Sequence, residues 1–144
     1  MKLKTIFFGA IFMTPVVFAQ STEMEAAKAP LQNYIRAHET GNADFMRKAF
    51  ASDAKIIGYM GGNMISWSLE QYAGRFNGKP ASDESQRRRS FEILDLAGDV
   101  AVGKVVLDYP SVKFVDYMTL LKVDGEWKIT SKSFNAQTKP VLQK

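Results

Sequence analysis

His38 is the only histidine among the 144 residues, and imidazole has the ordinary pKa best suited to proton transfer near neutral pH. It extends by one turn the apolar face of a predicted helix that carries Ala27, Leu31, Tyr34 and Ile35. We consider two interpretations of this residue. In the first, His38 binds a ligand or moves a proton. In the second, it is a structural histidine at a helix C-terminus, stabilised by the helix dipole and hydrogen-bonded to a carbonyl.

Two Asp–Tyr pairs flank the predicted turn at Pro110-Ser111 and give a second source of acid–base chemistry: Asp108 with Tyr109, and Asp116 with Tyr117. Because strand residues alternate between faces, one member of each pair is expected to point toward the core. A carboxylate and a phenol in an apolar cavity can act as general base and oxyanion donor. The alternative is tyrosines packed on a sheet, with aspartates at a solvated hairpin rim. The catalytic candidates are therefore His38, Asp108 and Asp116.

Arginine and aromatic side chains supply candidates for ligand contact. Arg87 and Arg89 share one face of a predicted strand, where they either blunt a sheet edge or reach an anionic ligand group. Lys104 and Lys132 offer the same two alternatives. Most aromatic residues at helix and strand spacing form core, but some can line a cavity and stack on a planar molecule. The predicted ligand-binding residues are Tyr34, His38, Tyr59, Trp67, Phe76, Arg89, Tyr109 and Tyr117.

Several chemistries lack their residues in this sequence. There is no cysteine, no HExxH, no GxSxG and no glycine-rich phosphate loop, which argues against thiol, metallohydrolase, serine-hydrolase and nucleotide-dependent enzymes. A single histidine also makes a mixed histidine–carboxylate metal site a poor prediction. The sequence therefore predicts neither a metal nor a cofactor.

The N-terminal residues have the pattern of a secretory signal peptide. Lys2 and Lys4 precede an apolar run over residues 6–18, and the small residue Ala19 follows. The run is shorter than the ~20 residues of a membrane-spanning helix, so we expect cleavage after Ala19 rather than a permanent membrane anchor. Cleavage would leave a periplasmic or secreted chain with 17 basic and 15 acidic residues. This small positive charge gives no support for nucleic-acid binding.

The remaining sequence predicts helices followed by strands. Helices are predicted over residues 23–38, over residues 43–50 with Asn42 as N-cap, and after Ser68, the last ending at Gly78. Short turns separate the predicted strands, which cover residues 55–59, 63–67, 85–96, 100–109, 112–123 and 127–134. This order predicts an α+β domain over residues 20–135, with three helices packed on a mostly antiparallel sheet of about six strands. Residues 136–144 are predicted to form a frayed tail.

The chain resembles the family described as "putative lumazine-binding", within the nuclear transport factor 2-like superfamily. The resemblance is carried by residues 31–35 (LQNYI), His38 with Gly41-Asn42, residues 46–50 (MRKAF), Trp67-Ser68, residues 107–110 (LDYP) and residues 116–129 (DYMTLLKVDGEWKI). It implies a curved sheet around a long helix, a conical pocket at the open end, and frequently a homodimer through the sheet. The superfamily includes ketosteroid isomerases, dehydratases, polyketide cyclases and non-catalytic binding proteins, so function has to be argued from the site.

Two functions follow from these observations. The favoured one is an exported, non-catalytic protein that binds a small, partly apolar or aromatic molecule in a conical pocket. The alternative is a cofactor-free isomerase, dehydratase or cyclase in which His38 or an aspartate moves a proton while Tyr or Arg stabilises an enolate. A buried acid–base pair within hydrogen-bond reach would favour the enzyme.

Overall fold

The computed structural model describes the backbone of residues 15–140 and the side chains of residues 20–140. The helices are α1 (Pro15–Thr40), α2 (Ala43–Ala49) and α3 (Leu69–Ala73), and a 3-10 turn covers Glu84–Gln86. The strands are β1 (Phe50–Met60), β2 (Asn63–Ser68), β3 (Arg88–Ala97), β4 (Val100–Asp108), β5 (Val112–Val123) and β6 (Glu126–Thr138). Most of the predicted signal peptide lies outside the described residues. Among the described residues, no helix combines the length and apolar character needed to cross a bilayer.

The helices begin and end close to the predicted positions, with two corrections. Asn42 caps α2 by accepting a hydrogen bond from the Asp44 amide, as predicted. Ser68 caps α3 in a capping box with Gln71. However, α3 ends at Ala73 rather than near Gly78. The first helix is longer than predicted and includes Pro30 in its interior.

The six strands form one sheet in the order β2-β1-β6-β5-β4-β3. All neighbouring pairs are antiparallel except β1 and β6, which run parallel. The three helices contact this sheet, and their buried residues join those of the strands in one core. The predicted α+β architecture is therefore confirmed. The strand β6 continues to Thr138, so the predicted tail from residue 136 begins too early.

A β-bulge at Thr130 decides which residues of β6 face the core. Before the bulge, Trp127 and Ile129 are buried, and after it the buried positions are Lys132 and Phe134. One extra residue in a strand changes the alternation of side chains between the two faces. The bulge thus directs a lysine into the core beside a phenylalanine.

Candidate functional site

A cavity of about 430 Å³ opens between the end of α1, the segment after α3 and the sheet. This volume is in the range of small-molecule sites, which are mostly apolar with a few convergent polar groups. Its aromatic lining consists of Trp67, Tyr72, Phe76, Tyr109, Phe114 and Phe134. Trp67 stacks on Phe134 with their ring centroids 5.8 Å apart and their planes 6° from parallel, and it also stacks on Tyr72 at 5.7 Å. We refer to the stacked pair Trp67 and Phe134 as the aromatic wall of the cavity.

His38 bridges two phenols at the cavity surface. Its Nε2 lies 3.1 Å from the Tyr72 hydroxyl and its Nδ1 lies 3.2 Å from the Tyr109 hydroxyl. All three side chains line the cavity. The last turn of α1 supplies the imidazole, α3 supplies Tyr72, and Tyr109 directly follows β4. Elements distant in sequence therefore bring an acid–base pair within hydrogen-bond reach.

A buried ion pair lies behind Tyr72. Lys132 Nζ is 3.1 Å from Asp116 Oδ2, and the two side chains are 3% and 0% exposed. The ammonium also donates to the hydroxyls of Tyr34 at 2.5 Å and Tyr72 at 3.1 Å. Tyr34 donates in turn to Asp116 Oδ2 at 2.7 Å. Within the described part of the chain, Asp116 Oδ1 is buried without a hydrogen-bond partner. The carboxylate therefore depends on Lys132 and Tyr34.

Arg89 contacts both Tyr109 and the last turn of α1. Its guanidinium forms a two-pronged ion pair with Glu84 at 2.5 and 2.8 Å, and only 5% of its side chain is exposed. Its Nε donates to the Tyr109 hydroxyl at 3.3 Å, and its Nη2 donates to the His38 carbonyl at 3.3 Å. Arg87 lies over the Tyr109 ring, 4.1 Å from the centroid. These cations fix Tyr109 against the imidazole.

The surroundings hold His38 neutral. Burial is the main reason why the pKa of its imidazole lies well below the ordinary value, and the positive charges of Lys132, Arg89 and Arg87 lower it further. Burial is the largest effect on Lys132 and disfavours its charge, but Asp116 and Tyr72 together outweigh it and leave the lysine pKa raised. The site therefore combines a neutral imidazole with a buried ammonium at neutral pH.

The hydrogen-bond donors can be ordered in two ways. In the first order, the Tyr34 hydroxyl donates a hydrogen bond to Asp116, and the Tyr72 hydroxyl donates one to His38 Nε2. His38 then donates from Nδ1 to Tyr109, and Tyr109, which also accepts from Arg89, keeps its own proton for a ligand in the cavity. In the second order, the other histidine tautomer donates from Nε2 to Tyr72 and accepts at Nδ1 from Tyr109, so both hydrogen bonds change direction. A change of tautomer thus carries a proton along the row.

The structure brings together part of the predicted site. His38, Trp67, Phe76 and Tyr109 line the cavity. Tyr34 and Arg89 lie behind it and contact residues that line it. One member of each Asp–Tyr pair faces inward, as the alternation predicted, and these are Tyr109 and Asp116. Asp116 contacts the lining only through Lys132 and Tyr34.

Three predicted site residues lie outside the cavity. Tyr59 and Tyr117 are 55% and 51% exposed and occupy strand positions that face away from the core, which corrects the expectation that they line the pocket. Asp108 lies outside the cavity lining and forms an ion pair with Lys139. That lysine is the main reason why the pKa of Asp108 is lowered. Each residue follows the alternation of its strand, which places its neighbour inside.

Sequence reasoning did not name Tyr72 as a site residue, and it left Lys132 open between a sheet edge and an anionic ligand group. Tyr72 lies within the third predicted helix, four residues before Phe76, a spacing that is typical of core residues. Lys132 had no distinguishing signature because its inward position depends on the bulge at Thr130. Among the described residues, no group of three or more His, Asp or Glu side chains is placed to hold a metal ion.

Comparisons with known proteins agree with this architecture. Residues 22–135 match the family described as "Putative lumazine-binding". The chain belongs to this family. A relative called Aldolase FrzH, from Cladobotryum sp, is 25% identical over 118 residues, which are 81% of this chain and 93% of that protein.

Two solved structures, both of NTF2-like proteins of unknown function, share the fold. The protein from Methylobacillus flagellatus KT is 28% identical, with a TM-score of 0.69, over 81% of this chain and 93% of that chain. The protein from Silicibacter pomeroyi DSS-3 is 21% identical, with a TM-score of 0.72, over 82% of this chain and 98% of that chain. The nuclear transport factor 2-like fold expected from the sequence is confirmed.

Proposed function

We propose that this protein is a cofactor-free acid–base enzyme that converts a small carbonyl compound to its enol or enolate. The observation that carries the proposal is His38 bridging the Tyr72 and Tyr109 hydroxyls at the surface of a cavity. This is the acid–base pair that distinguishes the enzyme from the non-catalytic binding protein favoured by the sequence. Ligand binding remains part of the proposal, because the aromatic wall formed by Trp67 and Phe134 suits a planar apolar molecule.

The proton transfers balance within the row of side chains. Tyr109 gives its proton to the substrate carbonyl oxygen and takes one from His38 Nδ1, while His38 Nε2 takes the proton of Tyr72. A C–H bond next to the carbonyl breaks, its electron pair forms the C=C bond of the enol, and its proton goes to the Tyr72 oxygen. Negative charge on that oxygen is stabilised by the Lys132 ammonium, 3.1 Å away. The imidazole ends in its other tautomer.

The relative named an aldolase is consistent with this chemistry. Aldol reactions form or break a bond at the carbon next to a carbonyl, and they pass through an enol or enolate equivalent. We therefore propose enolisation in preference to the reactions named by the sequence-based alternative, which were isomerisation, dehydration and cyclisation.

The test is deuterium exchange at the carbon next to a carbonyl, followed by NMR in D2O. The probes are 4-phenyl-2-butanone and 2-oxo-4-phenylbutanoate, a neutral and an anionic aryl ketone. We expect exchange above the buffer rate for at least one probe, and a loss of about 100-fold or more in His38→Gln and Tyr109→Phe. The matched control is Tyr117→Phe, which removes the hydroxyl of an exposed tyrosine outside the cavity.

Two results would count against the enzyme. Exchange at the buffer rate with both probes would favour the non-catalytic binding protein. Exchange that His38→Gln leaves unchanged would remove the imidazole from the reaction.

Export and dimerisation complete the proposal. The lysine-led apolar run before Ala19 supports export, and intact-mass measurement of exported protein should then give an N-terminus at Gln20.

Val102 and Tyr117 are exposed on the sheet face opposite the core, which supports a homodimer through the sheet. Light scattering should give twice the monomer mass. A monomer at micromolar concentration would exclude a stable dimer of this kind.

A further inference from the structure

The charges around the cavity have one sign. Its lining includes Arg75, Lys79, Arg87 and Lys132, and no aspartate or glutamate among the described residues. Cavity walls of one charge attract ligands of the opposite charge, and the field is strengthened by the apolar surroundings. The cavity thus favours an anion.

Two of these cations already have carboxylate partners. Lys132 pairs with Asp116 at 3.1 Å, and Arg87 pairs with Asp83 at 2.8 Å. Arg75 and Lys79 form no ion pair with any described residue. These two are the cations available to a ligand.

Arg75 is placed beside the aromatic wall. Its guanidinium carbon lies 4.6 Å from the centroid of the Trp67 ring, which itself stacks on Phe134. Stacking restricts a guanidinium to a plane and leaves its N–H groups at the edge free to donate. A planar ligand near this wall would have the donors of Arg75 beside it.

Lys79 also lines the cavity, and a close backbone contact fixes its position beside the end of α1. Gly78 donates its amide proton to the Gly41 carbonyl at 2.8 Å, just beyond the helix turn that carries His38. Gly41 has a φ of +68°, and a Cβ atom there would lie 2.0 Å from the Lys79 carbonyl oxygen. Only glycine permits this approach. The backbone of Lys79 is thereby fixed against the end of α1.

We propose that the ligand of this cavity is a carboxylate with a planar apolar body, and that Arg75 and Lys79 bind the carboxylate. That the ligand also has a reacting carbonyl group rests on the proposed function. Together, the two proposals give aryl oxo acids as the substrate class. The apolar body lies against Trp67 and Phe134, and the carbonyl reaches Tyr109. Guanidinium and ammonium groups suit these positions because both donate charge-assisted hydrogen bonds to carboxylates.

The test measures equilibrium binding of 2-naphthoate and its neutral counterpart 2-naphthamide by calorimetry. Wild type should bind 2-naphthoate about tenfold or more tightly than the amide, since charge-assisted hydrogen bonds contribute that much. The double variant Arg75→Gln with Lys79→Gln should lose this preference while binding the amide as before. The matched control, Arg36→Gln with Lys48→Gln, changes the net charge equally at two cations that lie over the Phe45 ring outside the cavity.

The control should retain the preference for 2-naphthoate to within about twofold, because exposed charges at a distance are screened by salt. Equal affinities for the two probes in wild type would overturn the inference. So would a preference that survives in the cavity variant, or no binding of either probe. Failure of the proposed function is distinguishable, because it would abolish His38-dependent exchange and leave the preference for 2-naphthoate intact.

Discussion

Lys132→Met is the substitution whose cost follows most directly from the structure. It removes the ammonium that lies 3.1 Å from Asp116 Oδ2 and 2.5 Å from the Tyr34 hydroxyl. The carboxylate would keep one hydrogen bond, from Tyr34, and its Oδ1 already lacks a partner among the described residues. The variant would therefore leave a negative charge in the core with no opposite charge beside it.

Removing one partner of a buried ion pair costs about 3–5 kcal/mol. The total free energy of unfolding of a domain is about 5–15 kcal/mol, so this loss is a large fraction of it. For a chain of this size, the corresponding decrease in Tm is about 10–20 °C. Replacing both charges should cost much less, because the desolvation penalty of the pair disappears with its attraction.

Urea unfolding of four proteins measures these effects: wild type, Lys132→Met, Asp116→Asn, and the double variant. Each single variant should be less stable than the double variant. The matched control is Lys104→Met, whose lysine pairs with Glu92 at 3.5 Å on the exposed surface and should contribute little. If Lys132→Met is no less stable than Lys104→Met, the ion pair is not buried as described. If the double variant is the least stable, the partners do not depend on each other.

Three further predictions follow from the same site. The pKa of His38 is lower in the folded than in the unfolded protein, so unfolding takes up a proton, and the free energy of unfolding should fall by up to about 1.4 kcal/mol for each pH unit below 6.5. His38→Gln should remove this pH dependence in urea titrations, and an unchanged slope would contradict the prediction. Lys132→Met should raise the pKa of His38, measured by NMR on this single histidine, since a nearby positive charge is removed; a pKa that stays the same would show that Lys132 does not contribute to it. Gly41→Ala should cost more stability than Gly62→Ala, because both have positive φ but only at Gly41 would the new methyl group meet the Lys79 backbone; equal costs in thermal unfolding would refute the contact.

The sequence predicted most of the fold because its local signals agree with the tertiary structure. The cap Asn42, the helix start after Ser68 and the turn between the first two strands lie at the predicted positions. Strand β5 has the predicted bounds, Val112–Val123. The error in α3 arose because Phe76 continues the apolar spacing in a turn after the helix has ended. An apolar periodicity shows which side chains are buried, but it does not require every one of them to be helical.

The site was less predictable because it is assembled from contacts between distant segments. Tyr34 and Asp116 are 82 positions apart, and Tyr34 and Lys132 are 98 positions apart. Alternation showed that one residue of each Asp–Tyr pair faces inward, but choosing Tyr109 and Asp116 required the strand pairing. The inward position of Lys132 depends on the bulge at Thr130, and no residue type in β6 indicates a bulge at that position.

The buried charges and the proposed chemistry depend on one another. A histidine can pass a proton from one phenol to another only while it is neutral, since a protonated imidazole donates from both nitrogens and accepts at neither. Lys132 lowers the pKa of His38 and so favours that neutral form, and the same ammonium lies beside the Tyr72 oxygen, which becomes negative when the proton moves. Asp116 keeps Lys132 charged in the core by raising its pKa, although it contributes nothing to the cavity lining. We therefore assign Asp116, one of the two aspartates that the sequence identified as catalytic candidates, a positioning role: it acts through Lys132 on His38 and Tyr72.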